Sequence, residues 1–220
     1  GTITNNFNST MVVAEYARRE RIPLFFAASS STRFLHHHDN PYTFSKSMNE
    51  ELLELYRKRF DLEYHMLYFY NVYGPREADY GEYSTVVRAF KKCVESDQPL
   101  RIFGSGKKER DFTHIHDVID GIIQLLTSKN KPKHVHLGSG NPVSIMDLAK
   151  AFDHSIVHEF DKQGEADVTE CADPYIEAEY DVISYVKKWK SDFEEERILH
   201  NVNKDLRKVE KKYAKTDSGQ

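Results

Sequence analysis

Ile22-Pro23-Leu24-Phe25-Phe26-Ala27-Ala28-Ser29-Ser30-Ser31 is an apolar run that ends in hydroxyls. Without polar alternation, it reads as a strand buried in a parallel sheet. Ligands of open α/β sheets gather outside the carboxyl ends of the strands, so the serines mark a candidate site. Upstream, Thr10 to Arg19 carries apolar residues at helical spacing, with a short turn at Arg21-Ile22-Pro23 before the strand at Leu24 to Ala28. This is a helix-to-strand half unit of an α/β fold.

Downstream, Pro41-Tyr42-Thr43-Phe44-Ser45-Lys46 opens a second helix, with Pro41 in its first turn. The helix runs to Phe60 and buries a stripe of Met48, Leu52, Leu53, Leu55 and Tyr56. Tyr42 and Lys46, four apart, project from one face one turn apart. A phenol alone titrates near pH ~10, and an ammonium within a few ångströms favours the phenolate. Tyr42 is therefore a candidate general base and Lys46 its tuner. Tyr-x-x-x-Lys also arises by chance in amphipathic helices, so its weight comes from the serine run upstream. Between the two, Arg33 to Asn40 reads as a polar loop. Its His36-His37-His38-Asp39 lacks the spacing of convergent metal ligands, and a solvated loop without metal is expected.

The remaining chain keeps the alternation. Leu62 to Tyr70 reads as a strand, and the turn-rich Asn71 to Tyr83 marks a crossing from the sheet into a smaller cap. Val86 to Val94 is helical, Leu100 to Phe103 is a short strand, and Gly104-Ser105-Gly106 is a turn. Asp111 to Leu126 shows helical periodicity, and His134 to Leu137 alternates as a strand. Ser144 caps a short helix from Ile145 to Phe152. From Tyr175 the sequence is helical, with Ile183, Val186 and Trp189 as its apolar face, and Lys204 to Gln220 reads as a solvated helix or frayed tail.

With 220 residues, 39% hydrophobic and 30% charged, the chain can bury a real core. A net charge of −4 gives no general footprint for nucleic acid or anionic membrane, so an anionic ligand must meet local cations. Cys93 and Cys171 make neither a disulfide framework nor a zinc site, and two thiols suit a reducing cytoplasm. No apolar run approaches ~20 residues and no signal peptide opens the chain, so a soluble, cytoplasmic protein is expected.

Six stretches in order resemble the extended short-chain dehydrogenases/reductases, and within them the NAD-dependent epimerase/dehydratase family of nucleotide-sugar enzymes. They are Asn5 to Thr10, the serine run with Tyr42 and Lys46, Tyr70 to Arg76, Ile102 to Gly106, Arg110 to Val118, and Gly164 to Val168. The resemblance implies a partial Rossmann-like parallel sheet with flanking helices and a smaller C-terminal substrate-binding region. Residues 1–75 and 110–140 would belong to the dinucleotide domain, 76–109 and 141–200 to the nucleotide-sugar region, and 201–220 to a charged tail.

The chemistry so implied is epimerisation of a UDP-hexose at C4 with NAD as cofactor. Tyr42 takes the sugar hydroxyl proton, Ser30 aligns that oxygen, and Lys46 lowers the Tyr42 pKa while gripping the nicotinamide ribose. Ser30 is chosen by register over Ser31, counting back from Arg33-Phe34-Leu35, where the family has Val-Tyr-Gly. Asn5 and Tyr70 join Tyr42 and Lys46 as cofactor-binding positions. Asn71, Val86, Ile102, Phe103, Arg110 and Lys162 join Ser30 around the substrate, with Arg110 and Lys162 on its diphosphate. Related dehydratases place Asp-Glu just after the catalytic hydroxyl, where this chain has Ser31-Thr32, which favours epimerisation. The alternatives are a UDP-glucuronate decarboxylase-like or dehydratase enzyme, or a non-catalytic nucleotide-sugar-binding homologue.

The resemblance also exposes a gap. The family's first βαβ units hold the dinucleotide pyrophosphate on a glycine turn and helix N-terminus, and none of the ten glycines here replaces that turn. The chain is then a fragment, is completed by a partner, or has lost the cofactor. A homodimer through the helices of Thr10 to Arg19 and Tyr42 to Phe60, or a partner supplying the missing half, is expected.

Overall fold

The computed structural model describes residues 1–36, 40–78, 84–162 and 164–217, with backbone alone at 205 and 208–217. His37, His38 and Asp39, the heart of the histidine loop, lie outside the described residues, as does 79–83 in the turn-rich segment. Among the described residues, no group of three or more His, Cys, Asp or Glu could hold a metal.

Helix α1 (Thr2–Glu20) begins earlier than the apolar spacing predicts and stops at Arg21, whose φ of 55° turns its N–H onto Ala17 O. Strand β1 (Leu24–Ser29) follows. A single helical turn, α2 (Ser31–Phe34), runs into the Arg33 to Asn40 stretch read as loop, because the serine-run hydroxyls bond backbone locally. Ser31 N donates to Ser29 Oγ at 3.3 Å, and Thr32 Oγ1 donates to Ser29 O at 2.9 Å. Helix α3 (Pro41–Phe60) is capped by Asn40, whose Oδ1 accepts from Thr43 N at 2.8 Å. Arg57, Lys58 and Arg59 lie at its negative end. Strands β2 (Tyr64–Phe69) and β3 (Val72–Tyr73) complete this half.

The second half runs α4 (Val86–Glu95), β4 (Leu100–Phe103), β5 (Glu109–Asp111), β6 (Thr113–His114), α5 (Ile115–Thr127), β7 (His134–Leu137), β8 (Pro142–Ser144), α6 (Ile145–Ala151), β9 (Ile156–Glu159), β10 (Val168–Thr169) and α7 (Val182–Asp217). Ser144 caps α6, its Oγ accepting from Asp147 N at 3.0 Å. Two expected boundaries move. The helix expected from Asp111 begins at Ile115, because Asp111 pairs with Pro142 in one sheet and Thr113–His114 with Val72–Tyr73 in another. The helix expected from Tyr175 begins at Val182.

Strands β1, β2 and β7 form a parallel sheet in that order, with Ala28 opposite Tyr68 and Tyr68 opposite His136. Side chains of β2 alternate between its two faces. Tyr64, Met66 and Tyr68 pack with Ala14 and Ala17 of α1 and Leu53 of α3, while Leu67 packs with Val118 and Leu125 of α5. Met48 and Leu55, expected in the buried stripe of α3, are exposed. The polar Thr43, Ser45 and Asn49 are buried in that helix instead, since Asn6 Nδ2 of α1 donates to Ser45 Oγ at 2.9 Å.

A further core cluster gathers Phe90, Leu100, Ile102, Phe112, Leu148, Phe152 and Val186 around α4, α6 and α7. The buried carboxylate of Asp111 joins this region to the first sheet. It accepts from Ser139 N at 2.8 Å, Ser139 Oγ at 2.7 Å, Gly140 N at 2.9 Å and Cys171 N at 2.9 Å. A buried carboxylate is tolerated where its lone pairs are filled in this way.

Candidate active site

The carboxyl end of β1, the α2 turn and the first turns of α3 form one wall of a cleft of about 720 Å³. Ser30 and Tyr42 both line it. The neighbouring hydroxyls are engaged: Ser29 and Ser31 lie 2.9 Å apart, Thr43 Oγ1 donates to Ser31 Oγ at 3.3 Å, and Thr32 Oγ1 donates to Glu50 Oε1 at 2.7 Å. Among the described residues, the Ser30 hydroxyl makes no side-chain hydrogen bond. Of the serine run it is the one free to meet a ligand oxygen.

Tyr42 is exposed at the cleft, and the Lys46 ammonium lies 5.9 Å from its ring centroid. Lys46 donates to Ala27 O at 2.8 Å and sits 5.3 Å from the Phe26 ring. Burial lowers its pKa, and the charge of Glu50 one turn further along α3 opposes that shift.

The far side of the cleft is cationic, lined by Arg101, Lys108, Arg110 and Lys162. Arg110 Nη1 donates to Ala166 O at 2.8 Å, and its Nη2 lies 3.2 Å from Glu165 Oε2. Lys108 Nζ pairs with Asp161 at 2.7 Å, and Lys162 stands 4.0 Å over the Phe103 ring. Asn71 and Val86 line the cleft, and Asn71 Nδ2 donates to Asp111 O at 2.8 Å.

Lys46 stands beside Tyr42 without lining the cleft, and three further expected positions lie elsewhere. Tyr70 is buried, with its hydroxyl 2.9 Å from His136 Nδ1, and burial raises its pKa. Ile102 is fully buried in the core behind Phe103. Asn5 is exposed on α1, and its neighbour Asn6 makes the contact to α3 instead. Residues the sequence reading missed include Lys108, whose signal was the Lys107-Lys108 pair beside the glycine turn, and Glu50, at the Tyr42 plus eight position on α3.

A dinucleotide needs donors for its ribose and amides for its pyrophosphate. Tyr42 and Lys46, at the carboxyl edge of β1, are donors of the first kind. Gly74, Gly104, Gly106, Gly140 and Gly164 have positive φ, yet none stands directly between a strand of the β1-β2-β7 sheet and a following helix. The described residues therefore fit the ribose end and do not build the pyrophosphate end.

A parallel sheet with serine, tyrosine and lysine at its carboxyl edge, facing a cationic cleft, defines a Rossmann-like protein of the short-chain dehydrogenase/reductase type. The chain belongs to the NAD dependent epimerase/dehydratase family, whose model matches residues 1–138. It is 35% identical over 127 residues to a putative UDP-glucose 4-epimerase of Methanocaldococcus jannaschii, covering 58% of this chain and 39% of that protein. It is 30% identical over 112 residues to the UDP-glucose 4-epimerase of Mycolicibacterium smegmatis, covering 51% and 36% respectively. The chain spans less than half the length of these relatives. The crystal structure of Thermotoga maritima UDP-glucose 4-epimerase with UDP-glucose superposes with a TM-score of 0.74 at 21% identity, over 88% of this chain and 70% of that one, which speaks for the fold.

Proposed function

We propose that this chain carries the reaction centre and substrate cleft of an NAD-dependent nucleotide-sugar epimerase acting on a UDP-hexose. The observation that carries this reading is the placement of Ser30 and Tyr42 on one wall of a cleft whose other wall presents Arg101, Lys108, Arg110 and Lys162. A sugar hydroxyl at the first wall puts a diphosphate within the field of the second. NAD, when bound, supplies the hydride acceptor and donor. Tyr42 as phenolate takes the hydroxyl proton and later returns it, and Ser30 donates to the same oxygen and fixes its direction. Lys46, 5.9 Å from the Tyr42 ring centroid, stands beside the base and is placed to hold the cofactor's ribose.

Epimerisation is favoured over elimination by the composition of the wall. Glu165 is the one acid among the described lining residues, and it is paired with Arg110 on the cationic side. Among the described residues, no carboxylic acid lines the cleft beside Tyr42 to protonate a leaving hydroxyl. A second reading is a homologue that binds the nucleotide sugar in the same cleft without turning it over. Met11, Val12 and Tyr16 of α1 and Met48 and Leu55 of α3 are exposed, which supports pairing of two copies through these helices. The two free thiols, Cys93 and Cys171, suit a cytoplasmic setting.

Interconversion of UDP-galactose and UDP-glucose by the full chain with added NAD tests the proposal. Turnover that Tyr42→Phe removes supports the epimerase. Binding of the UDP-sugar without turnover selects the second reading.

A further inference from the structure

The carboxylate of Glu50 gathers groups from two elements outside its own helix. Its Oε1 accepts from Thr32 Oγ1 of α2 at 2.7 Å, and its Oε2 pairs with the Arg33 guanidinium. Oε2 also accepts from the Tyr68 hydroxyl of β2 at 3.2 Å. Burial keeps that phenol protonated, so it serves as a donor here. Arg33 is held from its other side, 4.6 Å over the Tyr68 ring. The Glu50 side chain is only 15% exposed, so these partners replace water around the charge.

The serine turn has few other ties to α3. Thr43 Oγ1 reaches Ser31 Oγ at 3.3 Å, a long contact between neutral groups. Glu50 also stands on the side of α3 that carries the site, since Tyr42, Lys46 and Glu50 are spaced i, i+4 and i+8. One side chain thus bonds the turn that presents Ser30 and rides the helix that presents Tyr42 and Lys46.

We infer that Glu50 is a positioning residue of this reaction centre, clamping the Ser29–Arg33 turn to α3 so that Ser30 meets the oxygen Tyr42 serves. The assignment rests on the epimerase reading above for its chemistry, and its geometry stands without it. The charge of Glu50 also supports the protonated form of Lys46. The titratable and charged groups that face Glu50 are Arg33 of α2, Tyr68 of β2, His134 of β7 beside the Tyr68 hydroxyl at 3.2 Å, and Lys46 of α3.

The test uses the full chain and Glu50→Gln, which keeps the size and one acceptor while removing the charge, with Arg33→Met as the second variant should the first fail to fold. Two readouts are taken: amide exchange of the 29–35 segment, and the pH midpoint of Lys46 acylation followed by mass spectrometry. In Glu50→Gln, exchange at 29–35 should rise about tenfold while 64–69 stays protected, and the Lys46 midpoint should fall by roughly half a unit to one unit. Arg33→Met should raise exchange at 29–35 alone and leave the Lys46 midpoint at or above its original value. A folded Glu50→Gln variant in which either readout stays put overturns the inference, as does unchanged exchange in Arg33→Met. Failure of the wild-type chain to bind UDP-glucose would sink the functional reading and leave both readouts standing. Where turnover is measured, Glu50→Gln should lower kcat with little change in KM, because the residue does not line the cleft.

Discussion

The Lys46 ammonium donates to the carbonyl oxygen of Ala27 at 2.8 Å, fastening α3 to the carboxyl half of β1. The same lysine stands 5.9 Å from the Tyr42 ring centroid, so one side chain joins the sheet to the candidate base. Replacing it with methionine keeps most of the apolar stem and removes the charge. The expected result is a stability loss of about 1–2 kcal/mol by urea unfolding, from the lost charge-assisted bond. Any turnover should fall by at least about a hundredfold. Wild-type turnover in Lys46→Met would show that the lysine serves structure alone.

His114, His134 and His136 all have pKa values lowered from 6.5, chiefly by burial, which disfavours their charged forms. For a group depressed in the native state, the unfolded chain binds the proton more readily, and stability rises with pH. This contribution is complete above the unfolded value of 6.5 and is lost as pH falls through the lower native values. The urea midpoint should therefore decline between pH 7 and pH 5. His136→Gln should flatten that decline. A midpoint constant across this window would contradict the assignment. Glu15, held at about 2 by Arg18 and Arg19, loses its ion pairs only in stronger acid.

Asp111 satisfies four donors from Ser139, Gly140 and Cys171 with no exposed surface. Asp111→Asn turns one acceptor oxygen into a donor facing donors. A loss of about 2–4 kcal/mol is expected in equilibrium unfolding. Gly138→Ala strikes the same junction from another side, since a Cβ there would lie 2.3 Å from Cys171 Cβ. It should destabilise by about 1–3 kcal/mol.

Asp161 and Glu165 occupy the cations that a diphosphate would use, pairing with Lys108 at 2.7 Å and Arg110 at 3.2 Å. A nucleotide diphosphate must compete with them. Asp161→Asn together with Glu165→Gln should tighten binding of a UDP-sugar by about threefold to tenfold in calorimetry. Weaker binding would mean that the carboxylates contact the ligand.

Much of this is legible in the sequence. The β1 and α3 segments announce themselves because a long apolar run and a regular apolar stripe are local properties of sequence. Strands β9 and β10 were not read, since Ile156–Glu159 and Val168–Thr169 are short and only partly buried, and pair with β4 and β5 across long separations. Asp111 to His114 reads as the start of the helix whose period Val118, Ile119, Ile122, Ile123 and Leu126 set, and long-range pairing with Pro142 and Val72 decides otherwise. In the site, Ser30, Tyr42, Asn71, Phe103 and Arg110 reach the cleft from positions that motif spacing marks. Tyr70 and Ile102 point into the core, and a strand's period of two cannot say which face carries the ligand. Glu50 went unread because its partners, Thr32, Arg33 and Tyr68, come together only in the fold.

The most direct measurement is calorimetric titration of the full chain with UDP-galactose, in the wild type and in Arg110→Met. Saturable binding that weakens about tenfold to a hundredfold in the variant is expected, from the loss of a charged donor to the diphosphate. No binding by the wild type, or equal affinity in the folded variant, would contradict the assignment of this cleft to a nucleotide sugar.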